Sequence, residues 1–279
     1  MASPTGGLLH FLGSGFRVAE RVYYLAFLPF LVDLVFLTDR FLQSAHLYFF
    51  RIGLRFSLPF YFPSLTDVYD FPIQPGVYVQ LPQSNLIPVF GPGSIVIYTI
   101  LLAFLGAGYL GSLYSSITGT ASSFVSSATK FFLRILAYAL LWLGLSLLGI
   151  VIALANPMSA VIYFLSLILV NYFLFLTPFV IVVNDTSFTK ALERSVETSA
   201  SLSSRTIPYV LLYAFVTAVV SVPVYLILNF GLLGYLIALA VVAFIGTALV
   251  ASTFYFLSSL TPAKSATDQH EGPQEPIQL

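Results

Sequence analysis

The sequence predicts an all-α integral membrane protein: six transmembrane helices, amphipathic helices at the interface, and one long Pro-rich outer loop. Of its 279 residues 58% are hydrophobic and only 8% charged, with a mean hydropathy of +0.96, where soluble domains carry about 25% charged residues. Residues 161–183 hold no charge, and about 20 apolar residues in a row suffice to cross the ~30 Å hydrocarbon core as a helix. Beyond them Phe188, Ala191, Leu192, Ser195, Val196 and Ser199 recur at i, i+3, i+4 spacing, with Lys190, Glu193, Arg194 and Glu197 on the other side. That pattern describes a helix lying on the membrane surface.

Composition also sets limits on function. Net charge is zero, so the electrostatic footprint of a nucleic-acid binder is missing, and no direct nucleic-acid motif is present. The absence of cysteine removes disulfides, thiolate nucleophiles and thiolate metal sites. No cysteine and two methionines suit a heat-adapted source, a thermophile, where thermolabile residues are avoided. No cleavable signal peptide is expected, because Arg17, Glu20 and Arg21 precede an apolar run too long for one.

Taken in order, residues 1–21 form an N-terminal region whose segment 7–20 suits a short interfacial helix. The membrane domain, 22–260, opens with a span over 22–37 that carries Asp33 and is interrupted by Pro29. Proline removes a backbone donor and kinks a helix. Residues 41–58 contain His46, Arg51 and Arg55 and read as a helix in the interface; as a span they would place two arginines in lipid, at about 2.5–3.5 kcal/mol each. Over 57–93 the prolines Pro59, Pro63, Pro72, Pro75, Pro82, Pro88 and Pro92 rule out a helix. Within this loop Val77, Val79 and Leu81 alternate with Tyr78 and Gln80 as in a short strand, and its aromatics predict a packed extracytoplasmic cap. Further spans are expected at 94–114, 132–154, 161–183, 207–228 and 232–256, with connectors at 115–131 and 184–206. The polar tail, 261–279, is expected to be disordered.

Basic residues give the orientation. With the N-terminus inside, Arg17, Arg21, Lys130, Arg134, Lys190, Arg194, Arg205 and Lys264 fall inside, against Arg40, Arg51 and Arg55 outside. Both termini are therefore expected in the cytoplasm of a multi-pass protein of the cell membrane. The pair of spans around 115–131 has the same outline as the pair around 184–206. This is either a parallel repeat, as in some transporters, or simply two helical hairpins.

The stretch Thr177–Ser199, TPFVIVVNDTSFTKALERSVETS, resembles a family of polytopic proteins of the DUF975 and DUF4013 type. That family is related to the membrane domain attached to some glycerophosphodiester phosphodiesterases. The resemblance rests on a proline near the end of a span, a short polar turn and an AL-x-x-S amphipathic helix. Residues 108–141, with the FF-x-R entry of Phe131, Phe132 and Arg134, and the Leu28-Pro29 pair of the first span look similar. The resemblance covers most of the six-span region but neither the outer loop nor the tail. It implies a fold and no catalytic residues.

No constellation for catalysis, cofactor or metal emerges from the residues. Gly106, Gly108 and Gly111 match GxGxxG, but that fingerprint needs a strand and a βαβ unit, so inside a span they read as helix-packing residues. His10, His46 and His270 lie far apart and outside the spans, and Asp33 is the only acid in any span, which excludes a metal cluster and a paired-aspartate mechanism. Asn184-Asp185-Thr186 is a formal glycosylation sequon on the predicted cytoplasmic side and reads as chance. Asp33 either lines a pathway, as intramembrane acids do, or lies near the outer interface, close to Asp39 and Arg40, and is solvated or paired with Arg51 or Arg55. Pro29 and Asn171 complete the transport-pathway candidates, although a mid-span asparagine also serves as a helix-to-helix hydrogen bond. Lys190, Glu193, Arg194 and Glu197 are candidate partner-docking residues.

The expected function is a non-enzymatic transport or translocation component, a channel or transporter subunit, including one of a macromolecule or DNA import machine. The alternative is a membrane scaffold or assembly factor that recruits partners through helix 187–199. Expected partners are the lipid bilayer and either other membrane proteins or further copies of the chain; no cofactor is expected.

Overall fold

The computed structural model describes residues 7–45, 55, 57, 59, 61–69 and 93–260. Among these residues there is no strand, and the helices are α1 Leu8–Arg21, α2 Tyr23–Ala45, α3 Gly93–Thr118, α4 Phe124–Ala155, α5 Pro157–Leu174, α6 Thr177–Asn184, α7 Phe188–Ser201, α8 Ser203–Leu228 and α9 Gly231–Leu260, with a 3-10 turn at Leu65–Asp67. Five stretches are long and apolar enough to cross a membrane: Ile95–Thr118, α4, Met158–Asn184 (α5 with α6), α8 and α9. The pair α1 and α2, bent by 85° between Arg21 and Tyr23, makes a sixth when taken as one broken span. The chain is a polytopic helical membrane protein.

Several boundaries differ from those the sequence predicts. The connector expected over 115–131 shrinks to the turn 119–123, because α3 runs on to Thr118 and α4 begins at Phe124. Its hydroxyls are spent inside helices: Ser115 and Ser116 donate to the carbonyls of Gly111 and Ser112, and Ser123 caps α4 by accepting from Ser126 N. Such back-bonding lets serine and threonine sit within a helix. Gly119, at φ +73°, supplies the left-handed residue that ends α3. The sharp bend of the first span falls at Val22, seven residues before Pro29, and α2 runs as one helix through Pro29 and past residue 37 to Ala45. The helix expected over 41–58 does not reach its end, since Arg55 and Ser57 are not helical. The alternation at Val77, Val79 and Leu81, the tail 261–279, and Arg51, His46, His270 and Lys264 lie outside the described residues.

Residues 7–20 form the predicted amphipathic helix, but α1 is packed lengthwise on α9. Phe11 meets Phe256 edge to face, and Gly15 lies against Ala248 and Ser252, so the two helices run antiparallel. The span 161–183 breaks at Phe175 and Leu176, just before Pro178 at the start of α6. Proline at that place has no N–H to carry the ladder across. Residues 177–182 are all buried and fill one half of the bundle core, with Phe179 edge-on to Phe254. By contrast, α5 exposes Val161, Ile162, Phe164, Leu165, Ile168 and Leu169, each more than half, which is the lipid-facing pattern of a span at the rim. The two span pairs with the same outline pack differently: α3 and α4 pair directly, with Gly108 on the Phe124 ring and Gly111 on Ser127, whereas α7 is inserted between α6 and α8.

Two glycines separate packing from propensity. A Cβ on Gly246 would overlap Pro63, whereas one on Gly144 meets nothing within 4 Å. Alanine is favoured over glycine in a helix by about 1 kcal/mol, so Gly144→Ala should raise the unfolding temperature in detergent slightly. Gly246→Ala should lower it, because overpacking costs about 1–3 kcal/mol.

Candidate functional site

The centre of the bundle is occupied by chain that is not helical. Tyr61 lies edge-on to Tyr138 and against Gly106, Phe62 is edge-on to Tyr109, and Pro63 sits on Gly246. These contacts fall near the middles of α4, α3 and α9. The described residues of segment 55–69 (55, 57, 59 and 61–69) therefore dip to the midplane and turn back, since Tyr69 lies tilted against Tyr225 toward the end of α8, where Arg55 N also bonds. Irregular backbone at that depth is tolerated only where it is buried in protein or lines a cavity.

Its polar groups find partners from α8. Ser221 Oγ accepts from Arg55 N at 3.1 Å, and Thr217 Oγ1 accepts from Ser57 N at 3.0 Å. The registers match, because two extended residues span about 6.7 Å and four helical residues about 6 Å. The next residue in this alternation is Pro59, which is buried and has no N–H to satisfy. Ser221 and Thr217 belong to a longer row: Thr206, Tyr209, Tyr213, Thr217, Ser221 and Tyr225, spaced by three or four residues, all carry a hydroxyl and none is more than 8% exposed. Toward the other end of α8, Tyr209 bonds Thr253 at 2.8 Å and Thr206 bonds Tyr172 at 2.8 Å. This stripe was not singled out from the sequence, although its period is visible there once hydroxyls rather than apolar residues are tracked.

The turn at the segment's return is held by Asp33. Its Oδ2 accepts from Leu65 N at 2.5 Å and its Oδ1 from Ser64 Oγ at 2.9 Å. Ser64 N in turn donates to Asp67 Oδ2 at 2.9 Å, and Ser64 Oγ accepts from Thr66 N, a capping box on one turn of 3-10 helix. Tyr235 OH donates to the Asp33 carbonyl at 3.3 Å. Arg55 donates to Tyr69 O at 3.2 Å and lies close enough to Asp67 for their charges to attract. Beside the turn is a cavity of about 20 Å³ lined by polar Asp67, Tyr213 and Thr217 with Pro63, Val68 and Gly246 among the apolar walls.

The other candidates lie apart from this site. Pro29 is buried one turn before Asp33. Asn171 is half-buried near the end of α5, where its carbonyl accepts from Phe175 N. Gly106 admits the Tyr61 ring, while Gly108 and Gly111 serve the α3–α4 contact. Lys190, Glu193, Arg194 and Glu197 are exposed along α7, whose other face buries Ala191, Ser195 and Ser199. At the same end of the bundle Asp185 sits at φ +49°, bridged by Lys130 at 2.8 Å and Arg134 at 2.6 Å, which sets the sequon within an ion-pair cluster. Among the described residues no group of three His, Cys, Asp or Glu converges as for a metal ion. No family model, curated protein or solved structure matches the chain.

Removing the Asp33 carboxylate strands the buried Leu65 N–H, at about 1–3 kcal/mol, and frees the half-buried Ser64 hydroxyl. Asp33→Ala should lower the unfolding temperature and speed hydrogen exchange at 61–69, with Asp33→Asn in between; exchange unchanged from wild type in both would free the turn from Asp33. The Lys130 and Arg134 hydrogen bonds hold the Asp185 carboxyl below its ordinary range, so its stabilisation is present above the unfolded value and is lost as pH falls through the lowered one. Both pairs are exposed, so Asp185→Asn should cost at most about 1 kcal/mol at pH 7. The difference from wild type in thermal melts should vanish well below pH 4, near and under the usual aspartate value of about 3.9.

Proposed function

We propose that the protein is a membrane transport component, a channel or transporter subunit, in which segment 55–69 and the hydroxyl stripe of α8 line the route and the segment closes it. The observation that carries this is the buried stripe running the length of α8 with a water-sized cavity at its midpoint, where Asp67, Tyr213 and Thr217 meet apolar walls. The size of that cavity, about 20 Å³, fits a water or a small ion. The geometry thus favours small solutes over a macromolecule such as DNA.

The native chain has no cysteine, so single-cysteine variants report without background. In proteoliposomes, Tyr213→Cys and Thr217→Cys should react with a membrane-impermeant thiol reagent, and reaction should change the flux of small ions. Asp33→Ala, with its turn released, should leak several-fold faster than wild type. No labelling and no flux in any variant would defeat the transport reading. The exposed charged face of α7, with Lys190, Glu193, Arg194 and Glu197, would then support a scaffold that docks partners.

A further inference from the structure

We infer that two copies of this chain join through the exposed face of α1, in a two-fold contact where Glu20 of each copy pairs with Arg21 of the other. The inference does not depend on the transport reading. It begins with depth. α1 packs antiparallel on α9, with Phe11 on Phe256 and Gly15 on Ala248 and Ser252. At about 1.5 Å per helical residue, Glu20 and Arg21 lie about 8–9 Å further along, level with Gly246, where Pro63 marks the middle of the bundle. The break itself gives the same depth, because Arg21 ends α1 half-way along the bent span from Leu8 to Thr38.

Both side chains are exposed there. Among the described residues neither has a hydrogen-bond or ion-pair partner, whereas ionised groups at such depth face a bundle interior or water, or pair with one another. Arg17 is served otherwise. Its guanidinium turns back along α1, donating to Gly13 O at 3.4 Å and to Ser14 Oγ at 3.3 Å, toward the bundle end that begins α8 at Arg205, as long basic side chains do. Arg21, one turn deeper, and the shorter Glu20 stay at the midplane and need a partner from outside the chain.

The face that carries them complements itself. Leu9, Gly13, Arg17, Glu20 and Arg21 follow one another at helical spacing and are all exposed. Two copies inserted the same way round are related by an axis along the membrane normal, which sets equal residues at equal depth. Glu20 of one copy is then a single residue's rise from Arg21 of the other, and both pairs form at once with no charge left over. A Cβ on Gly13 would meet nothing within 4 Å, so this glycine serves no contact inside the chain, whereas Gly15 is filled by α9. Small residues on an open face let two membrane helices approach closely. Gly144 on α4 is equally open, but it stands among exposed Leu140, Leu147 and Leu148, a surface that lipid alone satisfies.

The chain has no cysteine, so a disulfide between two copies of a single-cysteine variant reports the contact directly. In proteoliposomes of the purified full chain at low protein density, Gly13→Cys should cross-link to a dimer within minutes of mild oxidation, while Leu165→Cys, on the exposed face of α5, should remain single. With Gly13→Cys as reporter, Glu20→Arg and Arg21→Glu should each slow the cross-link at least tenfold, and the two reversals together should restore it, which a defect in folding alone cannot produce. Should a single reversal fail to insert, Gly13→Leu decides instead: it should run as a folded chain in gel filtration yet show one chain by light scattering in mild detergent where wild type shows two. No cross-link at Gly13 overturns the interface, as does an equally fast one at Leu165, a rate that neither reversal changes, a double reversal as slow as the single ones, or a Gly13→Leu particle that still holds two chains. An anionic phospholipid seated on Arg21 would leave Gly13→Cys uncross-linked, with lipid retained by wild type and lost in Arg21→Glu, and that too overturns the second copy.

Discussion

A stretch of non-helical backbone lies inside a bundle of apolar helices, and each N–H and C=O it carries there must be satisfied by protein. An unpaired amide in such surroundings costs several kcal/mol. The helices around segment 55–69 are shaped by that demand. Ser221 and Thr217 act as acceptors on a helix surface in the register of a strand edge, and Asp33 caps the turn. Glycine at 106 and 246 leaves the width that Tyr61 and Pro63 fill. The bend at Val22 belongs to the same arrangement, since it turns α2 away from the line of α1 and sets Asp33 against the turn.

The two ends of the bundle differ in how they are held. On the side of Lys130 and Asp185, buried α6 and the Phe179–Phe254 and Tyr209–Phe256 ring pairs make a close-packed apolar core. Toward the other side the segment is held both by hydrogen bonds, including those of two carboxylates, and by Tyr61, Phe62, Leu65, Val68 and Tyr69 in the apolar core. Apolar packing has no cheap alternative geometry, whereas hydrogen bonds can be exchanged for bonds to water as soon as water enters.

How much of this could be read from the chain depends on range. The spans were legible because hydropathy is a local sum: 207–228 and 232–256 fall within α8 and α9. Boundaries in serine-rich stretches were not, since Ser115 and Ser116 look like loop residues until their hydroxyls are seen returning to Gly111 and Ser112. Asp33 stood out as the acid of the first span, but its partners are 31 and 32 residues away, beyond any spacing rule. The α8 stripe was within reach, and it was hidden because tyrosine counts as hydrophobic in composition and threonine and serine as neutral. Gly106, Gly108 and Gly111 share one motif yet meet Tyr61, Phe124 and Ser127, three contacts from two different parts of the chain.

That last distinction changes which acid matters. From the sequence Asp33 is the conspicuous residue, alone in a span, and a lone acid at depth suggests a pathway. In the fold both of its oxygens are engaged, one by a backbone amide and one by a hydroxyl, so it has little left to offer a passing ligand without releasing the turn. Asp67 reads from the sequence as one more polar residue in a Pro-rich loop. Yet it is carried into the bundle by that loop, engages one oxygen in the cap and faces a water-sized cavity beside Thr217. A buried acid whose two oxygens are both engaged is part of the scaffold, and by that criterion Asp33 belongs to the structure that holds the turn carrying Asp67.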